Sequence, residues 1–482
     1  MSVDIINRLR HWSEGPPRVW LREAGQAPVS YAQLWQDTGR YVAALADLGV
    51  AKGDRVLVQV EKSPEVLVIY LACLRLGAVF LPVNPGYTSA ETAYFLADAS
   101  PALVIVDHAG DMGGSHVRSL TGFVAHAVAM AVDFVDPPHA ADDLAAILYT
   151  SGTTGRSKGV MLTRGNLASN SEALVGVWRF SDADVLLHAL PVFHTHGLFV
   201  ATNCVLCAGA SMIFHRAFGA AAVLADLPAA SVMMGVPTFY TRLLAEPALT
   251  VQAVAGVRLF ISGSAPLSPT TFAAWEARTG QRILERYGMT ETGMITSNPD
   301  AGERRAGTVG QALPGVSVRI ADAVDGVGGI EVAGPNVFQG YWGKPEQTAA
   351  EFRADGYFVT GDLGSFDAEG YLSISGRAKD LVITGGLNVY PAEVEAALDR
   401  LPGVAASAVI GVPHPDFGEA VVACVVASGP VDPEALRVAL RGGLAAFKVP
   451  KRIVVMDDLP RNAMGKVQKA ELRKVYVGVF GG

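Results

Sequence analysis

The chain is poor in cysteine, with four in 482 residues, Cys73, Cys204, Cys207 and Cys424. Cys204 and Cys207 form a Cys-x-x-Cys, but no second pair follows to complete a zinc site, so buried structural thiols are expected. Positive charge is also scarce: 38 Lys and Arg stand against 46 Asp and Glu, a formal net charge of -8. There is no basic footprint for nucleic acid, and any anionic cofactor must be met by local lysines and arginines. Met1-Ser2-Val3-Asp4 opens without a basic segment and apolar core, so no secretory signal is read and a cytoplasmic location is expected. Long apolar runs are missing too. The stretch 197–214 reaches the roughly 18 uncharged residues that mark a candidate membrane span. Gly197, Thr202, Asn203, Gly209 and Ser211 interrupt it, and it reads as a buried helix followed by a core strand. No internal repeat stands out.

What is present is apolar material for more than one core: 50% of residues are hydrophobic over a length that exceeds one core. Strand-like and helix-like patterns alternate to about Ser375, which predicts doubly wound α/β subdomains with parallel sheets. Val56–Val60, Ala102–Val106 and Leu259–Ser262 read as buried strands, and Val66–Leu76 as a helix before the strand Ala78–Leu81. From Thr308 to Glu331 the pattern is short, Gly-rich and alternating, predicting a small β-rich subdomain. A second alternation follows, with Glu393–Asp399 helical and Ser407–Ile410 extended. The expected division is therefore a large domain over 1–378 and a small mobile α+β lid over 379–482.

Tyr149-Thr150-Ser151-Gly152-Thr153-Thr154-Gly155-Arg156-Ser157-Lys158-Gly159 packs hydroxyls, glycines and one lysine into a single turn. Glycines let backbone N–H groups approach phosphate oxygens, hydroxyls donate further bonds, and Lys158 supplies charge, so ATP is the first cofactor to test. The P-loop pattern does not fit, because Lys158 follows Gly155 by three residues and is itself followed by Gly159. Taken alone, such a run reads as a solvated loop. Its flanks argue for a site: Ala145–Leu148 reads as a buried strand and Asn166–Asn170 begins a helical pattern.

Further segments follow in order: Pro191-Val192-Phe193-His194, Ser262-Gly263-Ser264-Ala265-Pro266-Leu267, Tyr287-Gly288-Met289-Thr290-Glu291, Tyr357-Phe358-Val359-Thr360-Gly361-Asp362, Gly376-Arg377-Ala378-Lys379-Asp380 and Pro460-Arg461-Asn462-Ala463-Met464-Gly465-Lys466. Together with the Ser/Thr/Gly turn they resemble the adenylate-forming superfamily of acyl-CoA synthetases, luciferases and peptide-synthetase adenylation domains, over nearly the whole chain. The resemblance implies ATP, magnesium and coenzyme A as cofactors. It implies that Lys466 bridges the attacking carboxylate and the α-phosphate, that Glu291 is the magnesium ligand, and that Thr290 bonds the α-phosphate. Thr150, Ser151, Gly152, Thr153, Thr154, Gly155 and Lys158 would hold phosphates. Asp362 and Arg377 would hold the ribose, with Gly263, Ser264, Ala265, Tyr287 and Gly288 around adenine. Lys379 would be the hinge, and Gly385 and Gly386 would line the CoA channel; without the resemblance these two glycines read as a plain capping turn.

Arg286 decides the acyl group. Burying an unpaired guanidinium beside an alkyl chain is costly, whereas a second carboxylate on the substrate could pair with it in a fork. The residues alone leave that reading and its alternatives, a pair with a protein carboxylate such as Glu285 or a path to solvent, about equally open. Glu285–Thr292, His194-Thr195-His196-Gly197 and Asn462–Lys466 resemble the malonyl-CoA synthetase branch of the superfamily. That resemblance implies malonate, with methylmalonate as a further substrate, and places His194, His196 and Thr238 at the acyl pocket. A fatty or aromatic acid ligase, an enzyme loading a separate carrier protein, and a non-catalytic nucleotide binder are the rivals. Lys466, Glu291 and Asp362 all being present argues against the last.

Overall fold

The computed structural model describes residues 4–108, 116–132, 134–150, 157–462 and 465–480. Among these residues the large N-terminal part carries two mixed sheets, parallel at the centre and antiparallel towards one or both edges. The seven-stranded sheet has the order Gly340–Tyr341, Lys158–Thr163, Leu144–Thr150, Val79–Pro82, Arg55–Gln59, Leu103–Val106, Val117–Ser119. In the nine-stranded sheet the order is Gln311–Ala312, Gly293–Ser297, Leu284–Met289, Leu259–Ser262, Val232–Gly235, Val185–His188, Ser211–Phe214, Val19–Arg22, Val29–Ser30. The inner strands are buried on both faces, as their near-continuous Val, Leu and Ile content requires.

Local chemistry sets the elements. The helix Pro64–Leu76 starts with proline at its first turn and stops at Gly77, whose φ of 81° suits a left-handed cap that other residues resist. From Val66 to Leu76 it is buried all round, which makes it a core helix between the sheets. The stretch 197–214 forms the π-helical turn His196–Thr202, the helix Asn203–Ala208 and the strand Ser211–Phe214, and Cys204 and Cys207 are free buried thiols as expected. Among the described residues no helix is long and apolar enough to cross a membrane.

One expectation changes. The segment after Thr150 does not lead from a strand towards a helix; it joins two antiparallel strands, with Thr150 paired to Lys158. The helix Arg164–Val177 comes only after this hairpin, capped reciprocally by Thr163 and Asn166.

The β-rich subdomain is an antiparallel sheet of four strands, Ser317–Val324, Val327–Ala333, Phe358–Phe366 and Leu372–Arg377. The small C-terminal part is built on the long pair Val404–His414 and Gly418–Ala427, flanked by Val382–Thr384, Leu387–Val389 and the parallel strand Arg452–Met456. Helices Pro391–Leu398 and Pro433–Leu440 bury Val394, Leu398, Leu436 and Leu440 on one face of this sheet, and Lys469–Tyr476 buries Leu472 on the other.

Trp275, in the helix Pro269–Thr279, packs edge-on against Tyr240 and Phe260, with centroids 5.0 and 4.9 Å away. Trp275 is fully buried. Trp275→Ala is expected to lower unfolding free energy by about 3–5 kcal/mol, read as a drop in the urea midpoint at unchanged slope.

Candidate active site

The strand Leu284–Met289 places its side chains alternately on two faces. Glu285 faces the backbone of Leu267, whose N–H donates to Oε1 at 3.1 Å. Arg286 faces the other way, onto Gly263. A Cβ at Gly263 would lie 2.4 Å from the Arg286 Cζ, so only glycine leaves room for the guanidinium there. The Glu285–Arg286 pair and the solvent path are therefore both excluded: the first by strand parity, the second because Arg286 is only 3% exposed. Among the described residues Nε and Nη2 of Arg286 have no hydrogen-bond partner. These two atoms form one edge of the planar fork, the arrangement that receives a carboxylate through two parallel bonds. Burial weakens the guanidinium's hold on its proton, a cost that an anionic ligand removes.

Two histidines border this edge. The His196 backbone N–H donates to His194 Nδ1 at 3.4 Å, which leaves Nε2 of a neutral His194 as a donor. Burial foremost, then the charges of Lys466 and Arg286, push the His194 pKa down to about 4. His194 thus senses both cations. His196 is buried and held neutral by desolvation and by Arg286; its Nδ1 lies 3.2 Å from Ser264 Oγ, and its Nε2 is unpaired. Ser264 adopts φ 69°, an uncommon conformation for a residue with a side chain. Thr238, at the head of Pro237–Leu244, approaches Gly465, where a Cβ would lie 3.4 Å from its methyl group. Ala265 is half-buried beside Ser264.

Thr290 and Glu291 sit in the turn of a hairpin whose flanking pair is Met289 and Gly293. Glu291 Oε1 lies 3.2 Å from Tyr341 Oη, which donates to Glu351 Oε2 at 2.6 Å. Glu351 Oε1 in turn holds Lys158 Nζ at 2.5 Å, and the ammonium stands 4.3 Å from the Tyr341 ring centre. Burial first, and the charge of Glu351, raise the Glu291 pKa. Tyr341 and Glu351 belong to no motif, and nothing in their local pattern marks them. Ser151, Gly152, Thr153, Thr154 and Gly155 lie outside the described residues, whereas Thr150 ends its strand at their edge.

Asp362 and Arg377 are direct cross-strand partners, joined by an ion pair of 2.9 Å. Tyr287 Oη donates to the second oxygen of Asp362 at 2.5 Å, which ties the β-rich subdomain to the strand that carries Arg286. Gly288 allows the backbone at Gly293 to come close, since a Cβ there would meet its carbonyl oxygen at 2.1 Å. Lys466 keeps an exposed edge, yet crowding by protein, with Arg377 and Lys379 adding to it and Asp362 and Glu291 opposing it, holds its pKa below the usual lysine value. Its loop is closed by Asn462, whose Oδ1 accepts from the Lys466 N–H at 3.0 Å. Lys379 lies in the turn Ala378–Asp380 between the last strand of the β-rich sheet and the first of the C-terminal sheet. Gly385 and Gly386, with φ 57° and 81°, form a two-residue hairpin turn rather than a helix cap. The Gly385 N–H donates to Phe417 O at 2.9 Å.

The chain matches the AMP-binding enzyme model over residues 9–342 and the AMP-binding enzyme C-terminal domain model over residues 393–466. It belongs to the AMP-binding enzyme family. It is 36% identical to a malonate–CoA ligase of Arabidopsis thaliana, covering 91% of this chain and 80% of that protein. With a feruloyl-CoA synthase of an Amycolatopsis species it shares 35% identity over 96% of each. The crystal structure of ATP-bound MatB from Rhodopseudomonas palustris superposes with a TM-score of 0.96, at 50% identity and full coverage of both chains.

Burial pushes the Glu285 pKa up to about 8. Its folded value lies above the unfolded one, so the neutral acid favours the fold, and that contribution is present at low pH and is lost as pH rises towards 8. Glu285→Gln, which mimics the neutral acid, should gain stability over the native protein between pH 5 and 8, by on the order of a few kcal/mol at the upper end. Urea unfolding at several pH values checks this; parallel pH profiles would contradict it.

Proposed function

We propose that this protein is an ATP-dependent malonyl-CoA synthetase, converting malonate, ATP and CoA to malonyl-CoA, AMP and diphosphate through a malonyl-adenylate. The observation that carries the reading is the unpaired Nε and Nη2 edge of buried Arg286. One malonate carboxylate pairs with that fork; the other points towards Lys466, with neutral His194 lying within reach of both charges. A long alkyl chain would leave the guanidinium desolvated and unanswered. The likeness to the Arabidopsis thaliana malonate–CoA ligase supports the same choice. A methyl branch is worth about 1–3 kcal/mol of discrimination, which makes methylmalonate a second substrate to measure.

In the first half-reaction a carboxylate oxygen attacks the α-phosphorus and diphosphate departs. Lys466 stabilises charge gathering between the two reacting groups, with Thr290 donating to the α-phosphate. Lys158 and the 150–155 segment hold the departing phosphates. Asp362 and Arg377 orient the ribose: the carboxylate keeps free lone pairs beyond those taken by Tyr287 and Arg377. Gly263, Ser264, Ala265, Tyr287 and Gly288 border adenine. Glu291, a buried carboxylate whose pKa is raised beside a second carboxylate, is a donor that a hard cation would relieve. Magnesium held there would neutralise phosphate charge. In the second half-reaction the CoA thiol attacks the acyl carbon and AMP leaves. Lys379 serves as the hinge at the boundary between 1–378 and 379–482, and the Gly385–Gly386 turn then faces the site, where its lack of side chains admits the thiol arm.

Diphosphate release and thioester formation with malonate, methylmalonate, succinate, acetate and octanoate test this. Malonate should be preferred, and Arg286→Ala should cost about 10- to 100-fold in kcat/KM for malonate while leaving acetate little changed. Lys466→Ala should reduce adenylation by on the order of 100- to 1,000-fold. A preference for octanoate that survives Arg286→Ala would overturn the reading.

A further inference from the structure

Lys62 is 8% exposed and lies in the loop after the strand Arg55–Gln59, at the carboxyl edge of the seven-stranded sheet. It reaches across to the nine-stranded sheet. Its Nζ donates to His188 O at 2.9 Å and to His215 O at 2.6 Å, and stands 3.1 Å from His188 Nδ1. The Phe214 ring lies 4.3 Å from the ammonium. Among the described residues no carboxylate pairs with Lys62; burial, foremost, pulls its pKa well below the usual lysine value, and the charge of Glu23 opposes this only in part.

The second ring nitrogen of His188 continues the line. Nε2 is 2.9 Å from Gly197 O, an atom that can only accept, so Nε2 carries the proton and Nδ1 is free to accept from Lys62. Thr202 Oγ1 donates to the same carbonyl at 3.0 Å. Gly197 lies in the π-helical turn His196–Thr202, immediately after His196 and close behind His194. A side chain there is forbidden, because a Cβ would lie 2.1 Å from Pro191 O. π-helical turns are rare and concentrate at functional sites.

A buried cation without a counter-charge costs stability, and an apolar side chain of similar size would spare that cost. Arrangements that folding does not favour point to a demand made elsewhere. We propose that Lys62 and His188 form a positioning relay, in which the ammonium fixes the His188 ring, the ring holds the Gly197 carbonyl, and the 194–202 segment is thereby set so that His194 and His196 face the acyl acid beside Arg286. The relay joins the two sheets beside the segment that carries the acyl-side histidines. It rests on the reading of the Arg286 face as the acyl site.

The test uses the full-length protein with Lys62→Met, His188→Leu and His188→Gln, scored by amide hydrogen exchange over 196–203, by separate KM values for malonate and ATP, and by Tm. Lys62→Met and His188→Leu should speed exchange in that segment about tenfold and raise the malonate KM by on the order of tenfold, leaving the ATP KM unchanged. His188→Gln, which offers both an acceptor and a donor, should stay near the native values. The Tm of Lys62→Met should be equal to or above that of the native protein. Unchanged exchange and malonate KM in both disruptive variants would overturn the relay, as would a fall in Tm with both KM values worsening together. Should Lys62→Met fail to fold, the contrast between His188→Leu and His188→Gln decides. If the native protein ignores malonate, the functional reading falls while exchange still decides the relay.

Discussion

An arginine taken out of water asks for an anion, and Arg286 finds none among the described residues. Much of the surrounding structure follows from keeping that demand open. Gly263 has no side chain because the guanidinium occupies the space. Glu285, the nearest carboxylate in sequence, is turned to the opposite face and held by the Leu267 N–H. His194 and His196 stay neutral, partly because Arg286 repels a further positive charge. A satisfied arginine would make a more stable core; an unsatisfied one makes a place where a small dianion gains what the protein forgoes.

At the other end of the same space the protein gathers cations on a different chain segment. Lys466 stands on a loop of the small C-terminal part, where it feels the charges of Arg377, Lys379 and Asp362, which belong to or adjoin the β-rich sheet. The two charged ends are therefore carried by separately folded parts, and their spacing depends on how those parts meet. Tyr287 helps to set it, since its hydroxyl grips Asp362 while the preceding residue, Arg286, faces the proposed acyl pocket. On the proposed phosphate side, Glu351 and Tyr341 hold Lys158 and lie beside Glu291, so the lysine and the candidate metal carboxylate share one hydrogen-bonded group.

The cost of Lys62 belongs to the same economy of charge. It has carbonyls and a neutral imidazole for partners, all from the other sheet. Hydrogen bonds satisfy its protons without cancelling its charge. The carboxyl ends of parallel strands, where crossover loops collect, are where such partners can meet.

Short-range features were legible in the chain. The strands around Val56, Val104 and Phe260 and the helix to Leu76 lie where apolar continuity and the Gly77 stop put them. The motifs carrying Glu291, Asp362, Arg377 and Lys466 are contiguous, so residue order was enough to find them. The hairpin between Thr150 and Lys158, the turn at Gly385–Gly386 and the ties from Lys158 to Glu351 and from Lys62 to His188 were not legible, because each depends on a partner that only folding brings near. Sequence determined which groups are present and which local geometry each stretch prefers, since propensity and periodicity act over a few residues. That Arg286 meets neither Glu285 nor solvent was decided by the tertiary structure alone: burial, strand parity and the room left by Gly263 are properties of packing between distant segments.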